Sequence, residues 1–99
     1  MKIYKRKRLI MMSDKDIERT YKLLCYEFAN IRKDKKLSQQ EVSKLLDISS
    51  GYLSKIESGQ VTNMSLKLLM KLCSIYNKSF SDVYDIAEAK MKLENKQKE

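Results

Sequence analysis

The most restrictive feature of this sequence is its lack of residues that break or turn a chain. It contains no proline and only two glycines, Gly51 and Gly59, among its 99 residues. Tight hairpins, barrels and glycine-rich phosphate loops depend on those residue types, so the sequence argues against all three. A chain of this length also holds one domain at most. The sequence therefore favours a single domain built from helices.

Apolar residues recur at helical spacing from the first third of the chain onward. One stripe, in steps of four, three, four and three residues, consists of Ile17, Tyr21, Leu24, Phe28 and Ile31. Acidic residues at its start and lysines at its end suit the helix dipole. The pattern predicts a long first helix that begins near Asp14 and buries this stripe.

Serine residues mark the starts of four further helices. Ser38 and Glu41 form a capping-box pattern, and Ser49, Ser65 and Ser79 precede the next three apolar patterns. The residues expected to face the core are Val42, Leu45, Leu46, Leu53, Ile56, Leu66, Leu69, Leu72, Cys73, Tyr76, Phe80, Val83 and Ala87. Residue types that tolerate left-handed turns follow three of these helices, at Asp47, Gly59 and Asn77. The sequence thus predicts an all-α fold of five helices.

Several kinds of chemistry are excluded by the residue types present. The chain has no histidine, so Ser-His and Cys-His nucleophile pairs, histidine-ligated zinc and imidazole acid–base relays are ruled out. Cys25 and Cys73 lie 48 positions apart within apolar helical patterns and are expected to be buried free thiols. We expect no catalytic residue, no metal and no cofactor.

The charge points to an anionic partner. Lys and Arg total 21 and Asp and Glu total 13, a net charge of +8, and nucleic acid is the first candidate. We divide the chain into a basic arm (1–13), a helical domain (14–84) and a polar, helical tail (85–99). The arm is expected either to contact DNA in the minor groove or along phosphates, or to be solvated; a start at Met11 or Met12 would remove it. No segment matches a signal peptide or membrane span, so a cytoplasmic, nucleoid-associated protein is expected.

Residues 39–58 form the pattern most directly related to function. Two short helices joined by a three-residue turn, the second polar on one face, are typical of a helix-turn-helix motif. Around the motif stand IRKDKKLSQQEV (31–42) and DISSGYLSKIESG (47–59). From about Phe28 to Tyr84 the chain closely resembles the lambda-repressor/Cro-like (XRE-type) DNA-binding family of bacterial and phage regulators. The resemblance implies a five-helix lambda-repressor-like DNA-binding domain, here with an extended first helix.

In that family the second helix of the motif enters the major groove of DNA. The resemblance assigns DNA contacts along this helix and its cap to Ser49, Ser50, Gly51, Tyr52, Ser54 and Lys55. Lys55 can donate to guanine O6 or N7, and the serines can pair with either base type. Tyr52 is expected either to contact a phosphate or thymine methyl, or to pack as a partly buried ring.

Other positions correspond to backbone contacts and to an internal ion pair. Gln39 matches the family's glutamine that contacts the DNA backbone at the start of the motif. The further phosphate contacts expected around the motif are Lys35, Lys36, Gln60 and Thr62, although the two lysines are equally well explained as solvated surface. Arg32 and Glu57 match the family's structural ion pair between the first helix and the end of the recognition helix.

The chain departs from the family at three turns. Asp47 stands where glycine is usual, and Met64 replaces the proline expected before the fourth helix, which should loosen that loop. Asn77 and Lys78 replace the more common glycine and aliphatic residues after that helix. None of these departures removes a group expected to face DNA.

These features predict a sequence-specific DNA-binding transcriptional regulator, a repressor, that inserts helix 50–58 into the major groove as a homodimer on a pseudo-palindromic operator. The fifth helix and the tail are expected to form the dimer interface. The alternative is an antitoxin or protein-binding adaptor on the same fold, which Gly51 and the low number of arginines, four against 17 lysines, leave open. An enzyme has the least support, because Glu41, Asp47 and Glu57 already have structural roles.

Overall fold

A computed structural model describes residues 12–98, which fold into five α-helices without a strand. The helices are α1 (Asp14–Asp34), α2 (Gln39–Leu46), α3 (Ser50–Glu57), α4 (Leu66–Tyr76) and α5 (Phe80–Gln97). The predicted all-α fold is confirmed, including the extended first helix. Most of the predicted basic arm, residues 1–11, lies outside the described residues, and so does Glu99.

Every helix begins at a serine that caps it. The side chain of each cap accepts a hydrogen bond from the backbone N–H three residues later, at Ser13, Ser38, Ser49, Ser65 and Ser79. At Ser38 the capping box is complete, because its own N–H donates to Glu41 Oε1 at 2.8 Å. That backbone donor holds the pKa of Glu41 below its usual value. Each cap contributes about 1 kcal/mol, so the helix starts are well determined by sequence.

Three non-glycine residues adopt the left-handed conformation at helix ends. Asp47 (φ 58°) and Asn77 (φ 54°) were expected there, whereas Lys36 (φ 59°) was not. Around Lys36 the Leu37 N–H donates to the Arg32 carbonyl at 3.1 Å, which closes the end of α1. This bond compensates in part for a conformation that costs a residue with a Cβ about 1–2 kcal/mol.

The core lies between α1 and the other helices. α1 packs against α3, α4 and α5, while α2 packs against α3 and α4. The largest side chains that are almost completely buried are Tyr76, Phe28, Leu46, Leu53, Ile56 and Leu72. These contacts fix the position of the α2–α3 pair on α1.

Four residues expected in the core are exposed instead. They are Ile17 (51% exposed), Leu45 (65%), Leu66 (70%) and Phe80 (43%). Three of them stand within the first four residues of a helix. On α2 the buried face contains Val42, Ser43 and Leu46, and Leu45 projects to one side of it.

The predicted tail is not separate from the domain. α5 runs from Phe80 to Gln97 without interruption, and Met91 is buried in the core. Arg19 on α1 donates two hydrogen bonds of 2.8 Å to the Glu94 carboxylate, and these bonds raise the Arg19 pKa. The second half of α5 therefore packs on α1, and no structural boundary follows Tyr84.

Among residues 12–98, no helix combines the length and the apolar character needed to cross a membrane.

Candidate nucleic-acid interface

α2 and α3 form a helix-turn-helix unit held by a tight turn. Asp47 ends α2 in the left-handed conformation, and the Ile48 N–H donates to the Ser43 carbonyl at 3.0 Å. Ser43 is itself buried, and its small side chain allows the two helices to approach closely. The turn therefore determines the direction in which α3 leaves α2.

The rotation of α3 about its axis is fixed by its buried face. Leu53 and Ile56 are completely buried, and Glu57 is buried beside them. The opposite face consists of the exposed residues Ser50, Gly51, Ser54 and Lys55, with the exposed cap Ser49 before it. Tyr52 lies at the edge between the two faces with 39% of its surface exposed. These residues form one short polar surface, as the sequence predicted.

Gly51 is the one residue of that surface without a side chain. A Cβ placed at Gly51 would have no heavy atom within 4 Å. Packing inside the domain therefore does not require glycine here, unlike at Gly59, where a Cβ would lie 3.2 Å from Lys22 and Tyr26 side-chain atoms.

A buried ion pair joins α1 to the end of α3. Arg32 Nε donates to Glu57 Oε2 at 2.8 Å, and Arg32 Nη2 donates to Glu57 Oε1 at 3.1 Å. The remaining guanidinium nitrogen, Nη1, donates to the Leu37 carbonyl at 2.8 Å. Hydrogen bonding to Glu57 raises the Arg32 pKa. Arg32 and Glu57 thus form the structural pair that the resemblance implied.

Gln39 extends this network to the start of α2. Its Nε2 donates to Glu57 Oε1 at 2.9 Å, and the residue is half-buried. This bond uses one of the two N–H donors of the Gln39 amide and orients the other, so a contact with phosphate stays an expectation. The start of α2 also presents to an anion the backbone N–H groups of Gln39 and Gln40, which have no partner inside the helix.

The loop between α3 and α4 is fastened by Tyr21 of α1. The Tyr21 hydroxyl donates to the Val61 carbonyl at 2.8 Å and accepts from the Met64 N–H at 2.9 Å. The loop that carries the exposed Gln60 and Thr62 is therefore held on both sides, and one of these bonds uses the Met64 N–H, a donor that a proline at this position would lack. Periodicity placed Tyr21 in an apolar stripe and gave no signal for its hydroxyl.

Within the described residues, the lysines on and around the helix-turn-helix unit form no ion pair. Four salt bridges occur among residues 12–98: Arg19–Glu94, Arg32–Glu57, Lys90–Glu27 and Lys92–Glu88. None of them uses a lysine from α2, α3, α4 or the α1–α2 turn. The predicted phosphate contacts Lys35 and Lys36 are exposed in that turn, and Lys55 is exposed on α3.

Tyr76 is a buried polar group beside the network. Its hydroxyl has no hydrogen-bond partner in the described part of the chain. Burial, followed by the charge of Glu57, raises the pKa of Tyr76 to about 12. Its ring stacks on Phe28 with centroids 6.3 Å apart.

We expect Tyr76→Phe to leave the free energy of unfolding unchanged or to raise it by about 1 kcal/mol, because the ring stays and an unsatisfied hydroxyl is removed. Urea denaturation of both proteins measures the difference. A loss above 1 kcal/mol would contradict this and would show that the hydroxyl is satisfied by a bound water.

Within residues 12–98 no cluster of three or more His, Cys, Asp or Glu side chains could hold a metal ion. Cys25 is a buried free thiol as expected, whereas Cys73 is only half-buried. Burial raises the pKa of both thiols, which disfavours the reactive thiolate.

Comparison with known proteins gives matches of different extent. A family model described as helix-turn-helix matches residues 28–83. The crystal structure of the clp gene regulator ClgR from Corynebacterium glutamicum superposes with a TM-score of 0.72 at 29% identity, covering 80% of this chain and 83% of that one. Over 77 residues, or 75% of its length, the chain is 30% identical to the isomerizing glutamine–fructose-6-phosphate aminotransferase of Methanocaldococcus jannaschii, but it spans only 7% of that protein.

Proposed function

Because this chain belongs to the XRE-type helix-turn-helix family of DNA-binding transcriptional regulators, we propose that α3 recognises a specific operator from within the major groove. One observation carries this proposal. The exposed face of α3 is polar and narrow, while its opposite face is locked in the core by Leu53 and Ile56. A helix anchored in this way presents the same side chains to every DNA site it meets.

Two kinds of contact follow from the arrangement. Ser50, Ser54 and Lys55 stand on the outer face of α3 and are proposed to contact base edges, with Gly51 allowing close backbone approach. Groups around α3 are proposed to contact phosphates. They are the α2 N-terminus at Gln39, Lys35, Lys36, Ser49, Tyr52, Gln60 and Thr62.

We propose that the protein binds as a homodimer to a pseudo-palindrome with half-sites one helical turn, about 34 Å, apart. One face of α5 packs against α1, so we assign the dimer interface to the outer face of α5. Ile86 and Leu93, which are seven residues apart, are exposed there. A dimer that covers its operator blocks other proteins from that DNA, so repression is the outcome we propose. Sedimentation with operator DNA should show two chains per duplex; one chain per duplex would contradict the dimer.

Lys55→Ala is expected to change which DNA sites are preferred, with a loss of about 1–3 kcal/mol at the best site, because a base contact carries sequence information. Lys35→Ala should weaken binding to all sequences and flatten the salt dependence. Selection from a random DNA pool, followed by titrations at several salt concentrations, separates the two effects.

Lys78→Ala is the matched control, since Lys78 is exposed in the α4–α5 turn. Identical effects of Lys55→Ala and Lys35→Ala would contradict the assignment of one lysine to bases and the other to phosphates.

A second candidate function is protein binding, as in an antitoxin or adaptor. It is favoured by exposed apolar side chains at Leu66, Met70 and Phe80, which line one groove between α4 and α5. In that case DNA binding would keep its sequence preference after Lys55→Ala. The aminotransferase activity named for one relative is not part of either proposal, because the match covers 7% of that protein.

A further inference from the structure

The exposed face of α3 is bordered by two flanks, one at Glu57 and one at Tyr52. Hydrogen bonds to a neighbouring helix have been described so far only for the Glu57 flank. On one flank Glu57 meets Gln39 and the start of α2. Tyr52 lies about 140° away around the helix axis, at about 100° per residue. The Tyr52 flank therefore borders the exposed face on the side opposite α2's N-terminus.

A cleft of about 290 Å³ lies along the Tyr52 flank. Its walls come from the α2–α3 turn, from Tyr52 and from α4. Two lysines of α4, Lys67 and Lys71, line it, and both are exposed. Their spacing of four residues places both side chains on one face of α4. The cleft thus connects the recognition helix to a pair of cations that the sequence did not indicate.

Asp47 is the one acidic residue that lines the cleft, yet neither lysine takes part in any of the four salt bridges found within residues 12–98. The paired lysines of the described chain, Lys90 and Lys92, both lie on α5. A polyanion at the motif therefore meets Lys67 and Lys71 without first displacing a carboxylate.

The width of the major groove indicates which part of a bound DNA this cleft would face. The major groove is about 12 Å wide and a helix with its side chains is about 10–12 Å across, so phosphates of the two strands border both flanks of an inserted helix. We propose that Lys67 and Lys71 bind phosphates of the strand along the Tyr52 flank, opposite the strand bound by α2 and Lys35. This inference rests on the proposed function, and it extends the proposed DNA-binding surface onto α4. Such contacts orient α3 and add affinity without adding sequence preference.

The test compares two double variants with equal charge. Lys67→Gln/Lys71→Gln removes the pair, and Lys78→Gln/Lys96→Gln removes two exposed lysines outside the cleft. Titrations of the full chain with its selected duplex are made across a range of salt concentrations. We expect the first variant to lower the slope of log K against log salt by about 3.6 relative to wild type, or about 0.9 for each of the four phosphate contacts that the dimer loses. The control should change the slope by much less.

Phosphate ethylation interference locates the contacts. In wild type, modified phosphates along both flanks of α3 should interfere in each half-site. In Lys67→Gln/Lys71→Gln, interference should weaken along the Tyr52 flank of each half-site, and in Lys35→Ala it should weaken along the opposite flank. The selected sequence should stay the same in all variants. All substituted side chains are exposed, and circular dichroism confirms folding.

Two results would overturn the inference while leaving the proposed function intact. One is a slope equal to that of the control variant, together with a changed site preference in Lys55→Ala. The other is a changed site preference in Lys67→Gln/Lys71→Gln, which would assign the α4 lysines to bases. A wild-type protein with no preference among duplexes would instead remove the proposed function itself.

Discussion

Glu57→Gln is expected to lower the free energy of unfolding by about 3–5 kcal/mol, because it leaves the buried Arg32 guanidinium without a countercharge. Arg32 cannot respond by losing its proton, since an arginine guanidinium stays protonated in proteins. The stability of a typical small domain is about 5–15 kcal/mol, so the loss is a large fraction of the total. Urea denaturation followed by circular dichroism measures it.

The chain contains a matched control for this prediction. Arg19 and Glu94 form a pair with the same shortest distance, 2.8 Å, but their side chains are 41% and 34% exposed, against 10% and 6% for Arg32 and Glu57. Glu94→Gln should therefore cost at most about 1 kcal/mol. Equal losses in Glu57→Gln and Glu94→Gln would show that water screens the buried pair as well.

A double variant separates the effect of the buried charges on stability from the role of the Arg32–Glu57 pair in linking the helices. In Arg32→Met/Glu57→Leu both charges are replaced by apolar side chains, and stability should return close to that of wild type. DNA affinity should not return with it, because Gln39 loses its acceptor and the hydrogen-bonded connection between α1, α2 and α3 is gone. Recovery of both properties would limit the role of the pair to folding.

The sequence predicted the helix boundaries well because the signals that determine them are local. A serine hydroxyl accepts an N–H three residues away, and Asp47 and Asn77 adopt left-handed turns without help from the rest of the fold. The α3 surface was predictable for the same reason: in an eight-residue helix, two buried apolar residues determine which side chains face outward. The resemblance added Arg32 and Glu57, which are 25 positions apart and which no local pattern connects.

What the sequence did not predict depends on distant parts of the chain. Periodicity identifies the apolar face of a helix but not how much of that face the neighbouring helices cover, so Leu66 and Phe80 were placed in the core although they are exposed. The Tyr21 hydroxyl bonds residues 40 and 43 positions away. The cleft at Lys67 and Lys71 likewise exists only because α4 packs beside the turn between α2 and α3.

The extent of α5 is the most consequential of these differences. Residues 85–99 are rich in charged residues and were interpreted as a polar, helical tail, yet one face of this segment carries Ala87 and Met91 into the core. Lys90 and Glu94 on the same segment bond to Glu27 and Arg19 of α1. A helix with a narrow apolar face and a charged remainder has a low average hydrophobicity whether or not it packs, so composition alone could not distinguish the two cases.

Met91→Ala tests whether this segment belongs to the domain. Met91 is 3% exposed, and its truncation should cost about 2–5 kcal/mol through lost burial and the cavity that remains. Leu93→Ala is the control, since Leu93 is 58% exposed on the same helix and its truncation should change stability by at most about 0.5 kcal/mol. A Met91→Ala loss as small as that of Leu93→Ala would restore the boundary after Tyr84 and free the second half of α5 for a partner. The expected difference would instead show that the second half of α5 stabilises α1. It would thereby support α3, because α1 carries Arg32, which bonds to Glu57, and Tyr21, which bonds to the loop after α3.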